Sequence, residues 1–217
     1  MGAEEAQTER LIKEKAKILF FQKGFLNATT QEIADEAGVN RALIHYYFRS
    51  REQLLDTLLD ETLQEKKDRV RNILTSELPF REKIAYYIDT VVDYGLTYPY
   101  LDNFIISETA RHPDKVKMFC AKDRFKSSDL IRDALNKEVK KGKIAAIAPE
   151  HFMVNLISLC NYPLLAKSVI QTIHGMTDAA YRKFLVERKQ IIFRTIFNEE
   201  MPELNRKEES TKHAFKN

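Results

Sequence analysis

The stretch from Thr29 to Phe48, TTQEIADEAGVNRALIHYYF, reads as two short helices joined by a tight turn. Thr29 followed three residues later by Glu32 is the reciprocal capping box that satisfies two free backbone donors, so a helix begins there. Ile33, Ala34 and Ala37 share one face of it, and Gly38 follows directly, free to take the positive φ that a helix-to-helix turn demands. Asn40 is the next N-cap, and Val39, Leu43, Ile44 and Phe48 recur at helical spacing, which packs the second helix back on the first. Ala34 is small where two steeply crossing helices must approach. The pattern is a helix-turn-helix.

Working toward the N-terminus, Leu11, Ile12, Ala16, Leu19 and Phe20 form one stripe over Thr8 to Lys23, with Lys13, Lys15, Lys17 and Lys23 outside it. This predicts a first helix closed by Gly24, with Phe25 dropping beneath the other two to complete a small three-helix core. Working toward the C-terminus, Ser50 with Gln53 caps a helix that runs through Leu54, Leu55, Leu58, Leu59 and Leu63 to about Ser76. It is longer than the small domain needs, so it connects that head to the remainder. Pro79 opens the next helix, Phe80 to Tyr98, and a shorter one follows from about Tyr100 to Arg111. A long segment from Pro113 to Lys141 ends at Gly142, with Lys137, Lys140 and Lys141 suiting the negative end of a helix dipole. From Pro149 to Thr172 the chain is apolar on nearly every side, which predicts burial all round. Gly175 ends that helix, Thr177 or Asp178 caps the last one, and Tyr181, Phe184, Leu185, Arg188, Ile191, Ile192, Thr195 and Ile196 give it a wide apolar stripe. The expected fold is all-α. A helix-turn-helix head over residues 1–50 joins a helical domain over 51–201, and a solvated tail spans 202–217.

Composition agrees with helix throughout. The chain has 217 residues, 44% hydrophobic, with 6 Gly, 6 Pro and no Trp, enough to bury a core. A formal net charge of +3 means that any nucleic-acid surface is a local concentration of basic groups rather than a globally basic body. Asn40 to Arg51 is such a place, with Arg41, Arg49, Arg51 and His45 and no acid. Cys120 and Cys160 show no CxxC spacing, and no run approaches the length of a membrane span, so a cytoplasmic chain without membrane attachment is expected.

At these residues the chain resembles a known family. The run LFFQKGFLNATTQEIADEAGVNRALIHYYFRSREQLL is similar to the DNA-binding domain of the TetR family of bacterial transcriptional regulators, over about residues 8 to 57. The match includes the Gly-Phe before Thr-Thr, the IAxxAGV core, the aromatic-Tyr-Phe end of the second helix and the SREQLL that follows. The resemblance implies operator DNA as partner, with Arg41, Ala42 and His45 toward base edges and Thr30, Leu43, Tyr47 and Arg51 against phosphates. His45 stands where Tyr is commoner and Leu43 where Thr is frequent; Leu43 cannot bond a phosphate and would instead meet a thymine methyl. From the residues themselves, Arg49 and Arg51 are expected on phosphates rather than as idle solvated charges. Asn40 and Tyr46 are counted with the same DNA-binding surface, Tyr46 being expected core-facing or partly buried, and Tyr47 is expected to face the DNA.

One such helix reads only a few base pairs, so two heads are needed, and the last two helices carry more apolar surface than one subunit absorbs. Pairing them across a two-fold axis predicts a homodimer through a four-helix bundle. Asn155, Ser158 and Tyr162 form a polar stripe at i, i+3 and i+7, and Pro163 must free the carbonyl of Leu159. These groups either bond one another and backbone or orient a small apolar or amphipathic effector among Tyr87, Tyr94, Phe104 and Phe119. The expected function is a dimeric transcriptional regulator, a repressor released by that effector, with an activator or a ligand-independent DNA-binding protein as the alternatives. No cofactor is expected. His112, His151 and His174 lie on different segments without ligand spacing, and no acid, base and nucleophile converge with Cys120, so catalysis and metal binding are not expected.

Overall fold

A computed structural model describes residues 3–111 and 127–204, and every regular element among them is helical. The chain runs α1 (Ala3–Lys17), a π-helical turn (Ile18–Gln22), α2 (Thr30–Ala37), α3 (Arg41–Phe48), α4 (Arg51–Thr75) and α5 (Phe80–Thr97). It continues through α6 (Leu101–Arg111), α7 (Ser127–Lys140), α8 (Pro149–Leu165), α9 (Lys167–His174) and α10 (Asp178–Phe197). No single described helix is long and apolar enough to cross a membrane.

The predicted caps form. The Thr29 hydroxyl accepts from the Glu32 N–H at 3.2 Å while the Glu32 carboxylate accepts from the Thr29 N–H at 2.7 Å. Gly38 closes α2 at φ +64°, and Asn40 accepts from the Ala42 N–H at 2.8 Å. Ser50 caps α4 through Gln53, and of the two residues proposed for α10 it is Thr177 that caps, through Ala180.

Two cores result. The head core unites Ile12, Ala16, Phe20, Phe21, Ile33, Ala34, Ile44 and Phe48 with Leu54, Leu55, Leu58 and Leu59 of α4, and it also takes Leu101 and Phe104 from α6. The head thus extends past residue 50 and borrows from a helix far along the chain, an attachment fixed by the Tyr100 N–H donating to the Phe21 carbonyl at 3.1 Å. The second core packs α5 against α4, α7, α8 and α10 around Ile84, Ile88, Val92, Ile131, Leu156, Leu185, Ile192 and Phe193.

Four expectations need correction. The first helix begins at Ala3 and changes to a π turn, which inserts an extra residue into the helical register. Leu19, Phe20 and Phe21 are therefore buried in succession, Phe21 fills the place predicted for Phe25, and Phe25 is 58% exposed. Leu11, assigned to the apolar stripe, is exposed. The helix expected to run unbroken from Pro149 to Thr172 divides at Ala166, where α8 and α9 meet at 71°. It is not buried all round, since Val154, Ile157, Tyr162, Val169 and Ile173 are exposed. Finally, the first residues of the segment expected as a solvated tail over 202–217 are not wholly solvated: Leu204 packs on the second core, just after Met201, which is buried and whose N–H donates to the Gln190 side chain at 3.0 Å. Residues 205–217, Pro113 and most of the long segment before Ser127 lie outside the described residues.

Candidate nucleic-acid interface

The outer surface of α3 follows from its phase. Ile44 and Phe48 are buried, and on a helix of 100° per residue the face opposite them belongs to Ala42, Tyr46 and Arg49 with His45 at its edge, all exposed; Arg41 shares the phase of the buried pair and is exposed as the first residue of the helix. Asn40 is exposed at the cap, and Leu43 and Tyr47 sit half-buried on the flanks. Arg49 shares a shallow cleft with Asp56 and Asp60 of α4.

Arg41 is partly pre-positioned. Its Nε donates to the Thr30 hydroxyl at 3.0 Å, joining the first residue of α2 to the first of α3 and leaving its terminal nitrogens for a base edge or phosphate. The His45 Nδ1 lies 3.0 Å from the Arg49 carbonyl, which can only accept, so this nitrogen donates and Nε2 is left for another contact. The Arg49 N–H donates to the His45 carbonyl at 3.0 Å, closing α3 with Arg49 at φ +59°.

Three placements differ from expectation. Arg51, assigned to phosphate, is turned inward: its Nε donates to the Ala28 carbonyl at 2.7 Å, a terminal nitrogen donates to the Leu26 carbonyl, and the guanidinium sits 5.6 Å above the Phe20 ring. It clamps the loop that leads into α2. Tyr46, expected in the core, is 69% exposed, and Tyr47, expected toward DNA, packs against Phe48 with its hydroxyl beside Thr8 and Glu5 of α1. Burial raises the Tyr47 phenol above its usual range, and the Glu5 charge adds to the effect.

The residues proposed to line an effector site do not converge. Phe104 belongs to the head core beside Phe21, and Phe119 lies outside the described residues, as do Cys120 and His112. Tyr87 is half-buried near Cys160, and burial raises its phenol. Asn155 and Ser158 face outward and line a groove of about 600 Å³ with Arg81, Lys143, Phe152 and Phe197, while Tyr162 is 61% exposed. The Leu159 carbonyl freed by Pro163 accepts from Arg188 at 3.4 Å. Cys160 is buried and burial pushes its thiol up to about 12, which leaves almost no thiolate at neutral pH. Among the described residues no group of His, Cys, Asp and Glu is arranged to hold a metal ion.

Sequence reasoning missed one buried charge. Lys189 of α10 is 6% exposed and donates to Asp89 at 2.7 Å and to Asp93 at 2.5 Å across from α5. The signal was present as a lysine on the apolar stripe of α10 facing two acids one turn apart on α5.

Residues 12–58 match the family model described as bacterial regulatory proteins, tetR family, a span that begins in α1, contains the helix-turn-helix and ends in α4. These residues carry a TetR-family DNA-binding domain. A second comparison extends along nearly the whole length of the chain: it is 24% identical over 196 residues to the probable HTH-type transcriptional regulator YttP of Bacillus subtilis, covering 88% of this chain and 94% of that one. It is 29% identical over 110 residues to the HTH-type transcriptional repressor KstR2 of Rhodococcus jostii, covering 51% of this chain and 50% of that one. The solved structure of the ketosteroid transcriptional regulator KstR2 of Mycobacterium tuberculosis shares the fold, with a TM-score of 0.64 at 16% identity, covering 89% of this chain and 96% of that one. The relatives that share the N-terminal domain are named as transcriptional regulators.

Proposed function

We propose that the chain is a homodimeric, sequence-specific repressor that acts in the cytoplasm and leaves its operator when a small apolar or amphipathic effector binds the second helical domain. The observation that carries this reading is the outer surface of α3, where Arg41, Ala42, His45, Tyr46 and Arg49 stand exposed, with acids nearby only at the Arg49 end, where Asp56 and Asp60 line the same cleft. An Arg at the start of such a helix meets guanine bidentately, an imidazole meets a base edge, and an exposed tyrosine and arginine at the far end reach the backbone. Asn40, Thr30 and Leu43 complete the contact surface as cap, hinge-side anchor and apolar flank. Arg51 and Tyr47 drop out of the direct contacts and support the head instead.

The dimer reading rests on apolar surface. Val154 and Ile157 of α8 are 60% and 39% exposed, and Val186 and Ile191 of α10 are 53% and 41% exposed. Side chains of this kind on two long helices are covered when a second copy brings the same pair, making an isologous bundle. A head reading a few base pairs gains useful specificity when its twin is held one helical turn of DNA away. Repression needs only promoter occupancy, and the relative from Rhodococcus jostii bears the name of repressor.

Fluorescence anisotropy with duplexes from the DNA flanking the gene tests the reading. Saturable binding to one duplex, competed by itself and not by random DNA at the same salt, is the expected result. A chain that binds no duplex, or all equally, overturns it.

A further inference from the structure

His45 makes a contact that a regular helix forbids. A helical carbonyl points toward the C-terminus, away from the side chain four residues before it. Arg49 leaves the helix at φ +59° and ψ −43°, and its carbonyl lies 3.0 Å from the His45 Nδ1. The Arg49 N–H donates to the His45 carbonyl at 3.0 Å, so the two residues are tied twice. Few residues other than glycine take a positive φ, and a strained residue at a functional surface points to a use. Here it anchors the ring. A carbonyl only accepts, so Nδ1 donates whether the imidazole is neutral or charged, and Nε2 is its one remaining polar atom.

Nε2 has no hydrogen-bond partner among the described residues. Arg41 lies one turn before His45 and Arg49 one turn after it. The carboxylates of α2 are engaged elsewhere, Glu32 by Thr29, Asp35 by Gln31 and Glu36 by Lys23. From α4, Asp56 and Asp60 share the cleft at Arg49, and Glu52 pairs with Arg51. From α1, Glu5 lies toward Tyr47 and Glu9 pairs with Lys13. Nε2 is left to whatever approaches α3 from outside.

The chemistry at that atom inverts with charge. On a neutral ring pinned through an Nδ1 proton, Nε2 carries a lone pair and only accepts; on a charged ring it only donates. An unpinned histidine could move its proton between the two nitrogens and offer either function when neutral, a freedom that the Arg49 carbonyl removes. Histidine is the side chain whose ordinary charge change falls between about pH 5 and 8. In the major groove an acceptor meets the amino group of adenine or cytosine, and a donor meets guanine, whose N7 and O6 both accept.

We propose that His45 is a specificity-determining residue whose base choice follows its charge: an amino-bearing base at one position of each half-site when the ring is neutral, and guanine there when it is charged. The inference rests on the reading of α3 as the helix that meets DNA, and it makes operator choice depend on pH.

Selection of duplexes from random-sequence DNA by the full chain, once at about pH 6 and once at about pH 8, tests it. The two sets are expected to differ at one position per half-site, guanine at the lower pH and adenine or cytosine at the higher. Anisotropy titrations of the two selected duplexes should show the preference between them reversing with pH, by about tenfold, the weight of one hydrogen bond gained or lost. Titration of a group outside α3 changes affinity for all duplexes and leaves base choice alone. His45→Gln, whose amide offers donor and acceptor at every pH, should select one set at both. Arg49→Gly keeps the positive φ and the carbonyl; it should bind every duplex more weakly and still change its base with pH. Without DNA, long-range proton–nitrogen correlation spectra of the full chain, with His45→Gln for assignment, should show Nδ1 protonated and Nε2 bare at about pH 8. A proton on Nε2 there, one base preference at both pH values, or a reversal that survives His45→Gln overturns the inference and leaves the DNA reading intact. Uniformly stronger binding at the lower pH with no change of base overturns it too, and assigns Nε2 to a phosphate. A chain that selects no sequence at either pH overturns the regulator reading, and the inference with it.

Discussion

Arg41 and Arg51 carry the same guanidinium into different surroundings, the first exposed on α3 with Nε on the Thr30 hydroxyl, the second folded over Phe20 with its donors on the Leu26 and Ala28 carbonyls. Their alanine variants should therefore fail in different assays. Arg41→Ala is expected to melt like the parent and to lose about 1 to 3 kcal/mol of discrimination between the preferred duplex and one altered at a single guanine. Arg51→Ala strands two backbone carbonyls and is expected to cost about 1 to 3 kcal/mol of stability in denaturant melts, with the salt slope of DNA binding unchanged in the fraction that remains folded. A reduced salt slope for Arg51→Ala would return that residue to the phosphate contacts. Glu32 makes a third prediction at this scale. The Thr29 N–H, then the Thr29 hydroxyl, holds its carboxyl below the usual carboxylate range, so its contribution is present above the unfolded pKa and is lost as pH falls through the lower folded value. Glu32→Gln should flatten the acid limb of the stability profile below about pH 4.5, near the ordinary glutamate range, and leave the neutral region less affected. How much of this was legible differs residue by residue. The capping box could be read because both partners are side chains at fixed spacing. Arg51 could not, because its acceptors are backbone carbonyls in a loop and no letter marks them. Tyr46 was readable and misassigned: two residues beyond the buried Ile44 is about 200° around the helix, which turns it to solvent.

The helices were found from periodicity, and they went astray where the register changes. A π turn adds a residue to α1, so the apolar count past Lys17 no longer repeats as before, and the three buried positions Leu19, Phe20 and Phe21 fall in a row. The break between α8 and α9 carries no glycine and follows Pro163 by three residues, so composition alone read one continuous span. The crossing of α5 with α8 shows what such patterns hide. Gly95 reads in the sequence as one more position of an apolar repeat, yet a Cβ there would stand 2.3 to 2.8 Å from the branched end of Leu164, itself 3% exposed. Gly95→Ala is expected to destabilise by about 1 to 3 kcal/mol through overpacking, against the gain in helix propensity that alanine normally brings. Leu164→Ala alone should cost about 2 to 5 kcal/mol, and the double variant should cost less than the two added, because the smaller neighbour makes room for the new methyl. Additive losses in thermal melts would place the clash elsewhere.

At the scale of the whole molecule, the question is whether surface apolarity on α8 and α10 serves the fold or an assembly. The two-core arrangement leaves Val154 and Val186 more than half exposed, so neither is needed to complete a single subunit. Glu at both positions should therefore leave the melting of the isolated subunit close to the parent's, the usual result for exposed sites. The same change places four like charges in an isologous interface, where each is desolvated without a partner. Sedimentation of Val154→Glu/Val186→Glu is expected to give the mass of one chain where the parent gives two. The consequence for DNA follows from linkage: tethered heads meet the second half-site at an effective concentration set by the bundle, and freed heads meet it only at their concentration in solution. Affinity for the two-site duplex should fall by about two orders of magnitude or more, while binding to a single half-site stays as weak as before. A double variant that sediments as a dimer, or a monomer that keeps full affinity for the two-site duplex, would show that these faces do not hold the heads together.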